Sequence, residues 1–352
     1  MTQTGHAVIA EGQTFTVAEY PVPDPAPGTV LLRQELAGIC GTDLHWWQQG
    51  IEPAMLLGHE NVGIIEALGK GVTTDDLGTP VKEGDRVVFH PRNSGISNGM
   101  RGPDEPFSGG FADYIYLTDP MRCMIKSEKP PQVGVLAEPF TIGVHAALRA
   151  NIKIGDTVII QGSGPIGIMC MIAARISGAG KLIVIGGPAG RLELARKLGA
   201  HETVDIGAAP DAGERKEIVL GLTPGRAGGD VVIEAAGFLP AFPEGLELVK
   251  QYGVFVEAGH FVDVGTVEVN PNRHFLRPNL RLEGVWGSRY EHFIRAVSVM
   301  ESGDVDFAAV ISHELPLERV REGFDALNGN YELDGRTAFK IAVRGAFAAG
   351  AG

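Results

Sequence analysis

A thiol, two imidazoles, a hydroxyl and two carboxylates fall within two short stretches, Cys40-Gly41-Thr42-Asp43-Leu44-His45 and Gly58-His59-Glu60-Asn61. Thiolate, imidazole and carboxylate are donor types that zinc accepts, and a catalytic zinc takes about three protein ligands while leaving one position open. Cys40 by itself reads more simply as a small, inert core residue. The neighbouring His59 and Glu60 tip the reading toward a metal. Glu138, in Leu136-Ala137-Glu138-Pro139-Phe140, is an acid among apolar residues, and its plain reading is a helix-start carboxylate favoured by the helix dipole.

A second kind of chemistry is written in Gly162-Ser163-Gly164-Pro165-Ile166-Gly167, which follows the apolar run Thr157 to Gln161 and opens another apolar segment. In a GxGxxG turn the first glycine permits the tight bend. The second lets a pyrophosphate approach the backbone, and the third lets helix and strand pack closely. The helix N-terminus then offers free N–H groups and a favourable dipole to the phosphates. The acid that usually ends the next strand and holds the adenosine ribose is missing, because Leu182-Ile183-Val184-Ile185 runs into Gly186-Gly187-Pro188. Nothing there repels a 2′-phosphate, and the nearby cation, Arg191, reads more simply as a solvated helix residue. The choice between NAD and NADP stays open.

These groups need elements to hold them. Up to about residue 135 the chain reads as short β-type runs broken by Gly, Pro and Asp, such as Gly28 to Gln34, Asn61 to Leu68 and Asp85 to Phe89. A helix is expected over Glu138 to Ala150. From there strand runs (Thr157 to Gln161, Leu182 to Ile185, Asp230 to Glu234, Val254 to Glu257, Leu282 to Trp286) alternate with helical ones (Arg191 to Leu198 among them). Such alternation predicts an α/β domain with a doubly wound parallel sheet. A helix over His292 to Glu301 and a β-like run over Ala338 to Val343 then return the tail to the first domain. The expected division is a mostly β catalytic domain at 1–145, a dinucleotide domain at 146–290 and a return segment at 291–352.

Bulk properties narrow the function. At 352 residues two domains of ordinary size are expected. A formal charge of −13 argues against a nucleic-acid binder, which needs a basic face to displace counterions. Cys40, Cys123 and Cys170 are too few for a disulfide framework, so a reducing, cytoplasmic setting is expected. Met1 to His6 lack the pattern of a signal peptide, and the apolar stretch Val158 to Ile176 is broken by glycines, Pro165 and Arg175, so no membrane span is expected.

Taken together, GlyIleCysGlyThrAsp at 38–43, the GHExxG segment at 58–63, GlyAspArgVal at 84–87, AlaGluPro at 137–139, the glycine turn at 162–167 and ArgLeuGluLeuAlaArgLysLeuGlyAla at 191–200 resemble the medium-chain, zinc-dependent alcohol and polyol dehydrogenases, the group of sorbitol and threonine dehydrogenases. The resemblance covers nearly the whole chain. It implies a GroES-like catalytic domain beside a Rossmann domain, and Cys40, His59 and Glu138 as ligands of the catalytic zinc. Glu60 matches a residue beside the metal that ligates it transiently in some members. Thr42 and His45 match the hydroxyl and imidazole of a proton relay; Gly162, Gly164, Pro165, Ile166 and Gly167 match the cofactor turn, with Arg191 near it, and Gly186 departs from the family by standing where it carries the NAD-selecting acid. Segment His90 to Gly110, where the family carries a structural zinc lobe, contains no cysteine. One zinc per subunit is therefore expected, and the resemblance implies a homodimer or homotetramer joined near Leu280 to Gly287.

The activity so implied is oxidation of a small secondary alcohol or polyol, or reduction of its ketone or aldehyde, with hydride passing to or from NAD(P). Two other readings stand beside it. A zinc-free quinone or enone reductase would use the dinucleotide site alone, and a non-catalytic dinucleotide-binding protein would keep the pocket without the relay of Thr42 and His45. Trp46, Trp47, Phe111 and Trp286 are candidates for an apolar substrate pocket, although aromatic residues at such positions are more often core. Arg289 is a candidate partner for an acidic substrate group, its plainer reading being a solvated arginine. The loop His90 to Gly110, rich in Gly, Asn and Pro, is expected to be mobile near the site.

Overall fold

The computed structural model describes residues 3–93, 96–97, 99–118 and 122–346. The chain divides into two compact units, one of residues 1–138 and 293–352 and the other of residues 139–292.

The first unit is built on two sheets. Thr4–Gly12 and Thr14–Pro21 form a tight antiparallel pair that the sequence reading did not resolve, and Gly12 at φ +57° makes the turn between them. The larger sheet runs in the order Met124–Lys126, Arg86–Phe89, Glu60–Leu68, Val30–Gly38, Lys340–Arg344, Ile311–Pro316, so the C-terminal strand lies directly beside Val30–Gly38. The strand expected from Gly28 begins at Val30 instead, because Gly28 sits at φ +81° in a turn, and it runs on to Gly38. In this register Gly38 faces Glu60 on one side and Ala342 on the other. That pairing carries the chain straight from the end of a core strand into Cys40. Val8, Ile39, Trp47, Phe111, Phe324 and Ile341 form part of the core beneath it.

The second unit is a six-stranded parallel sheet. Counted in chain order, its strands Thr157–Gln161, Lys181–Gly186, Glu202–Asp205, Gly229–Glu234, Val249–Glu257 and Arg281–Gly284 lie in the order 3-2-1-4-5-6. Helices Pro165–Ile176, Ala189–Lys197 and Ala212–Leu222 connect the first strands. This is the doubly wound order in which ligands bind at the carboxyl ends of the strands, where the order reverses. Ile159, Ile183, Val232 and Phe255 are almost free of solvent, as expected of strands covered on both faces. The last strand ends at Gly284, short of the expected Trp286, whose side chain is 68% exposed. No helix among the described residues is long and apolar enough to cross a membrane.

Candidate metal centre and dinucleotide turn

Cys40 caps the helix Gly41–Gln49 in extended conformation (φ −92°, ψ 156°), which sets its sulfur at the positive end of the helix dipole. Its N–H donates to Asp43 Oδ2 at 2.9 Å. The other oxygen of that wholly buried carboxylate, Oδ1, lies 3.4 Å from His59 Nδ1. Asp43 therefore bridges two distant segments, with a hydrogen bond to one and an ion-pair contact to the imidazole of the other. One donor atom each from Cys40, His59 and Glu60 lies within 4.8 Å of the others.

The electrostatics of this cluster call for a cation. Burial works against a charged His59, yet Asp43 and the Cys40 sulfur outweigh it and hold the imidazole pKa well above its usual value. Glu138, in the first turn of the helix Ala137–Ala150, is half-buried. Burial pushes its carboxyl up to about 7, with His59 and Lys340 drawing it down while Glu60 and Asp43 push it up. Glu138 thus faces the same site without belonging to the tight cluster. The donor set fits a divalent metal of borderline softness.

Two residues of this centre were given no role in it by the sequence reading. Asp43 is one, and the other is Lys340, buried on the returning strand, where it pairs with Glu60 and donates to Ile39 O at 2.9 Å. A Cβ on Gly38 would lie 2.0 Å from Glu60 Oε2, so glycine there leaves room for the pair. The signal was present as a single charge inside the apolar run Ala338 to Val343, since a buried charge demands a partner.

Thr42 Oγ1 lies 3.7 Å from Cys40 Sγ. His45, one turn further along the same helix and so on the same face, contacts Gln49 through Nε2 at 2.9 Å. Of the aromatic candidates, Trp47 and Phe111 belong to the core and not to a pocket, being 5% and 1% exposed, and Trp47 Nε1 donates to Gln13 O at 3.0 Å. Trp46 packs partly buried against that core, while Trp286 donates to Phe261 O at 3.0 Å. Arg289 is exposed. In the 90–110 segment, expected to be mobile, positions 94, 95 and 98 lie outside the described residues, His90 packs edge-on to Phe293 at 5.6 Å and Phe107 is fully buried.

The glycine turn behaves as its spacing requires. Gly162 adopts φ +103°, Gly164 caps the helix and Pro165 takes its first position, with Ile166 following. A Cβ on Gly167 would lie 1.9 Å from Gly162 O. Gly186 has a steric cause as well: its Cβ would lie 2.3 Å from Ser163 Oγ and 2.7 Å from Ser163 N. Ser163 Oγ donates to Gly187 O at 3.1 Å and accepts from Gly187 N at 2.9 Å, fastening the turn to the second strand. Arg191 is half-buried with Nη1 4.0 Å from the Cβ position of Gly164, so it lies at the turn and is not a solvated helix residue.

A doubly wound sheet with a phosphate turn, together with a thiolate, imidazole and carboxylate centre, defines the class as a dinucleotide-linked oxidoreductase with a metal site. Residues 26–128 match the family model of the alcohol dehydrogenase GroES-like domain, and residues 165–302 match that of the zinc-binding dehydrogenases. The chain is 33% identical to 5-exo-hydroxycamphor dehydrogenase of Pseudomonas putida, over 83% of this chain and 86% of that protein. It is 32% identical to L-threonine 3-dehydrogenase of Sinorhizobium fredii, over 88% and 91%. Among solved structures it resembles an alcohol dehydrogenase of Thermotoga maritima (TM-score 0.87, 26% identity, 97% of this chain and 99% of that one). It also resembles a zinc-binding dehydrogenase of Sinorhizobium meliloti bound to NADP (TM-score 0.82, 27% identity, 97% and 99%). The chain belongs to the zinc-type medium-chain alcohol and polyol dehydrogenase family, whose members couple a small-molecule alcohol and its carbonyl form to NAD(P) by hydride transfer.

Proposed function

We propose that this enzyme oxidises a small secondary alcohol or polyol, or reduces the matching ketone, at a single zinc held by Cys40, His59 and Glu138. The observation that carries the reading is the convergence of Cys40, His59 and Glu60 donor atoms within 4.8 Å, with Asp43 in contact with both segments that supply them. Glu60 is already neutralised by Lys340, which favours Glu138 as the standing third ligand and leaves Glu60 as an alternate one. When bound, zinc polarises the substrate oxygen and the nicotinamide exchanges the hydride.

The chain's own residues do the positioning. Asp43 fixes the His59 ring so that Nε2 is free for the metal. Thr42 Oγ1, next to the Cys40 sulfur, accepts the proton that the alcohol gives up, and His45 on the same helix face hands it to solvent. Gly162 to Gly167 bring backbone N–H groups to the pyrophosphate, with Arg191 and Gly186 flanking the adenosine half. We assign the catalytic domain to 1–145 with 291–352, and the dinucleotide domain to 146–290. The absence of cysteine from His90 to Gly110 argues for no structural zinc. The three free cysteines fit the cytoplasm, and the edge strand Arg281–Gly284, with Leu282 46% exposed, suits pairing with a second copy in a dimer or tetramer.

The test combines metal analysis with a panel of alcohols assayed with NAD+ and NADP+. Cys40→Ser and His59→Ala are expected to abolish turnover and leave dinucleotide binding intact. Full turnover in protein stripped of metal would sink the reading.

A further inference from the structure

Besides the metal centre, a second set of ligand-type side chains converges within the dinucleotide unit. Glu234 ends the strand Gly229–Glu234 and Glu257 ends its neighbour Val249–Glu257, and the two residues face each other in register. His260 follows three positions on. One donor atom from each of the three lies within 4.8 Å of the others. His260 Nδ1 is 3.0 Å from Glu257 Oε1 and 3.3 Å from Glu234 Oε2.

The polar accounting of this cluster does not close. Glu234 is fully buried; its Oε1 accepts from the N–H groups of Ala236 and Gly237 at 2.7 and 3.0 Å, but Oε2 has no hydrogen-bond donor. Glu257 Oε2 and His260 Nε2 are also buried without a hydrogen-bond partner. Among the described residues, His260 is the sole ion-pair partner of either carboxylate. Two carboxylates thus stand side by side at the strand ends, with one imidazole reaching both.

A positive ion held between His260 Nδ1, Glu257 Oε1 and Glu234 Oε2 would give the buried Glu234 oxygen its missing partner. Around a zinc-like ion with bonds of about 2.1 Å, neighbouring ligand atoms stand roughly 3.0–3.4 Å apart, the range in which the two imidazole-to-carboxylate distances fall. Two carboxylates and one imidazole suit zinc, manganese or ferrous iron better than a soft ion. Access exists as well, because Glu257 and His260 line a cavity of about 350 Å³ with Leu239, Phe242, Phe261 and Asp263.

We propose that Glu234, Glu257 and His260 form a second divalent-metal site, in the dinucleotide unit, that shares no residue with the Cys40 centre. A bound ion would neutralise the acids at the carboxyl ends of the two strands and pin the chain from Glu257 to Gly265 that borders the cavity.

Cobalt(II) separates the two sites, since thiolate ligation gives a near-ultraviolet charge-transfer band and oxygen and nitrogen ligation does not. The full-length chain is dialysed against Co2+, desalted, and its metal counted by mass spectrometry. Two equivalents per chain are expected, of which one lacks the thiolate band. Cys40→Ser should keep the band-free equivalent, and His260→Gln should keep only the other. A single equivalent in the wild type, all of it thiolate-bound, would mean that a shared proton alone occupies the cluster and would overturn the proposal. Two equivalents surviving in both His260→Gln and Glu257→Gln would overturn it too. Should the variants fail to fold, the wild-type count and spectrum still decide.

Discussion

Ser163 Oγ fills the space into which a side chain on Gly186 would grow, 2.3 Å from the point where its Cβ would sit. The missing ribose-binding acid at the end of the second strand is therefore excluded by the turn that precedes it. Restoring an acid there must displace Ser163, whose backbone N is also within 2.7 Å of that point. Gly186→Asp is expected to weaken NAD+ and NADP+ alike, by about tenfold or more, which corresponds to about 1.4 kcal/mol. Equilibrium titration of both cofactors checks this. Tighter NAD+ binding with loss of NADP+ would show that the turn yields and that position 186 does select the cofactor.

Asp43 predicts a second effect. It orients His59 from behind, and removing such a partner typically costs 10- to 100-fold in metal affinity. Asp43→Asn is expected to lower zinc affinity by about that factor in chelator competition, while the helix Gly41–Gln49 keeps its cap from the Asn oxygen. Unchanged zinc affinity would remove Asp43 from the metal centre.

Much of the molecule was legible in the sequence, for reasons that individual residues make clear. Thr157 to Gln161 was read to the residue because a strand covered on both faces is a continuous apolar run. The glycine turn was legible because Gly162 and Gly167 answer steric demands, the one a left-handed φ and the other a close approach to the Gly162 carbonyl. Cys40, His59 and Glu60 announced their chemistry by type, and the fold did bring them together. Lys340 could not be placed, since its partner Glu60 lies 280 positions earlier in the chain and only the pairing of Lys340–Arg344 with Val30–Gly38 joins them. Trp47 and Phe111 took the commoner core reading, because proximity in sequence to a reactive segment says nothing about which face of an element meets the core.

The Lys340 pair supplies a stability prediction. Both groups are almost wholly buried, so removing one leaves an uncompensated charge in the core. Lys340→Met is expected to destabilise the protein by about 3 kcal/mol or more. The double variant Lys340→Met with Glu60→Gln should recover a large part of that loss, because no charge is then stranded. Urea unfolding of the three proteins measures the coupling, and purely additive losses would contradict the ion-pair account.

Acid should weaken the dinucleotide unit through Glu247. Its carboxylate meets Lys216 Nζ at 2.8 Å, Arg273 Nε at 2.7 Å and His274 Nε2 at 2.9 Å. Burial raises its pKa, but Lys216 and Arg273 outweigh that and bring it down to about 2. With the folded value depressed below the unfolded one, the stabilisation is complete above the unfolded pKa, near 4.5, and drains away as pH falls toward 2. The stability gap between the wild type and Glu247→Gln should therefore be widest at neutral pH and narrow steadily below about pH 4.5. Denaturant melts of both proteins across that range report it directly. A gap that stays constant down to the acid limit would mean that Glu247 contributes through packing and not through its charge.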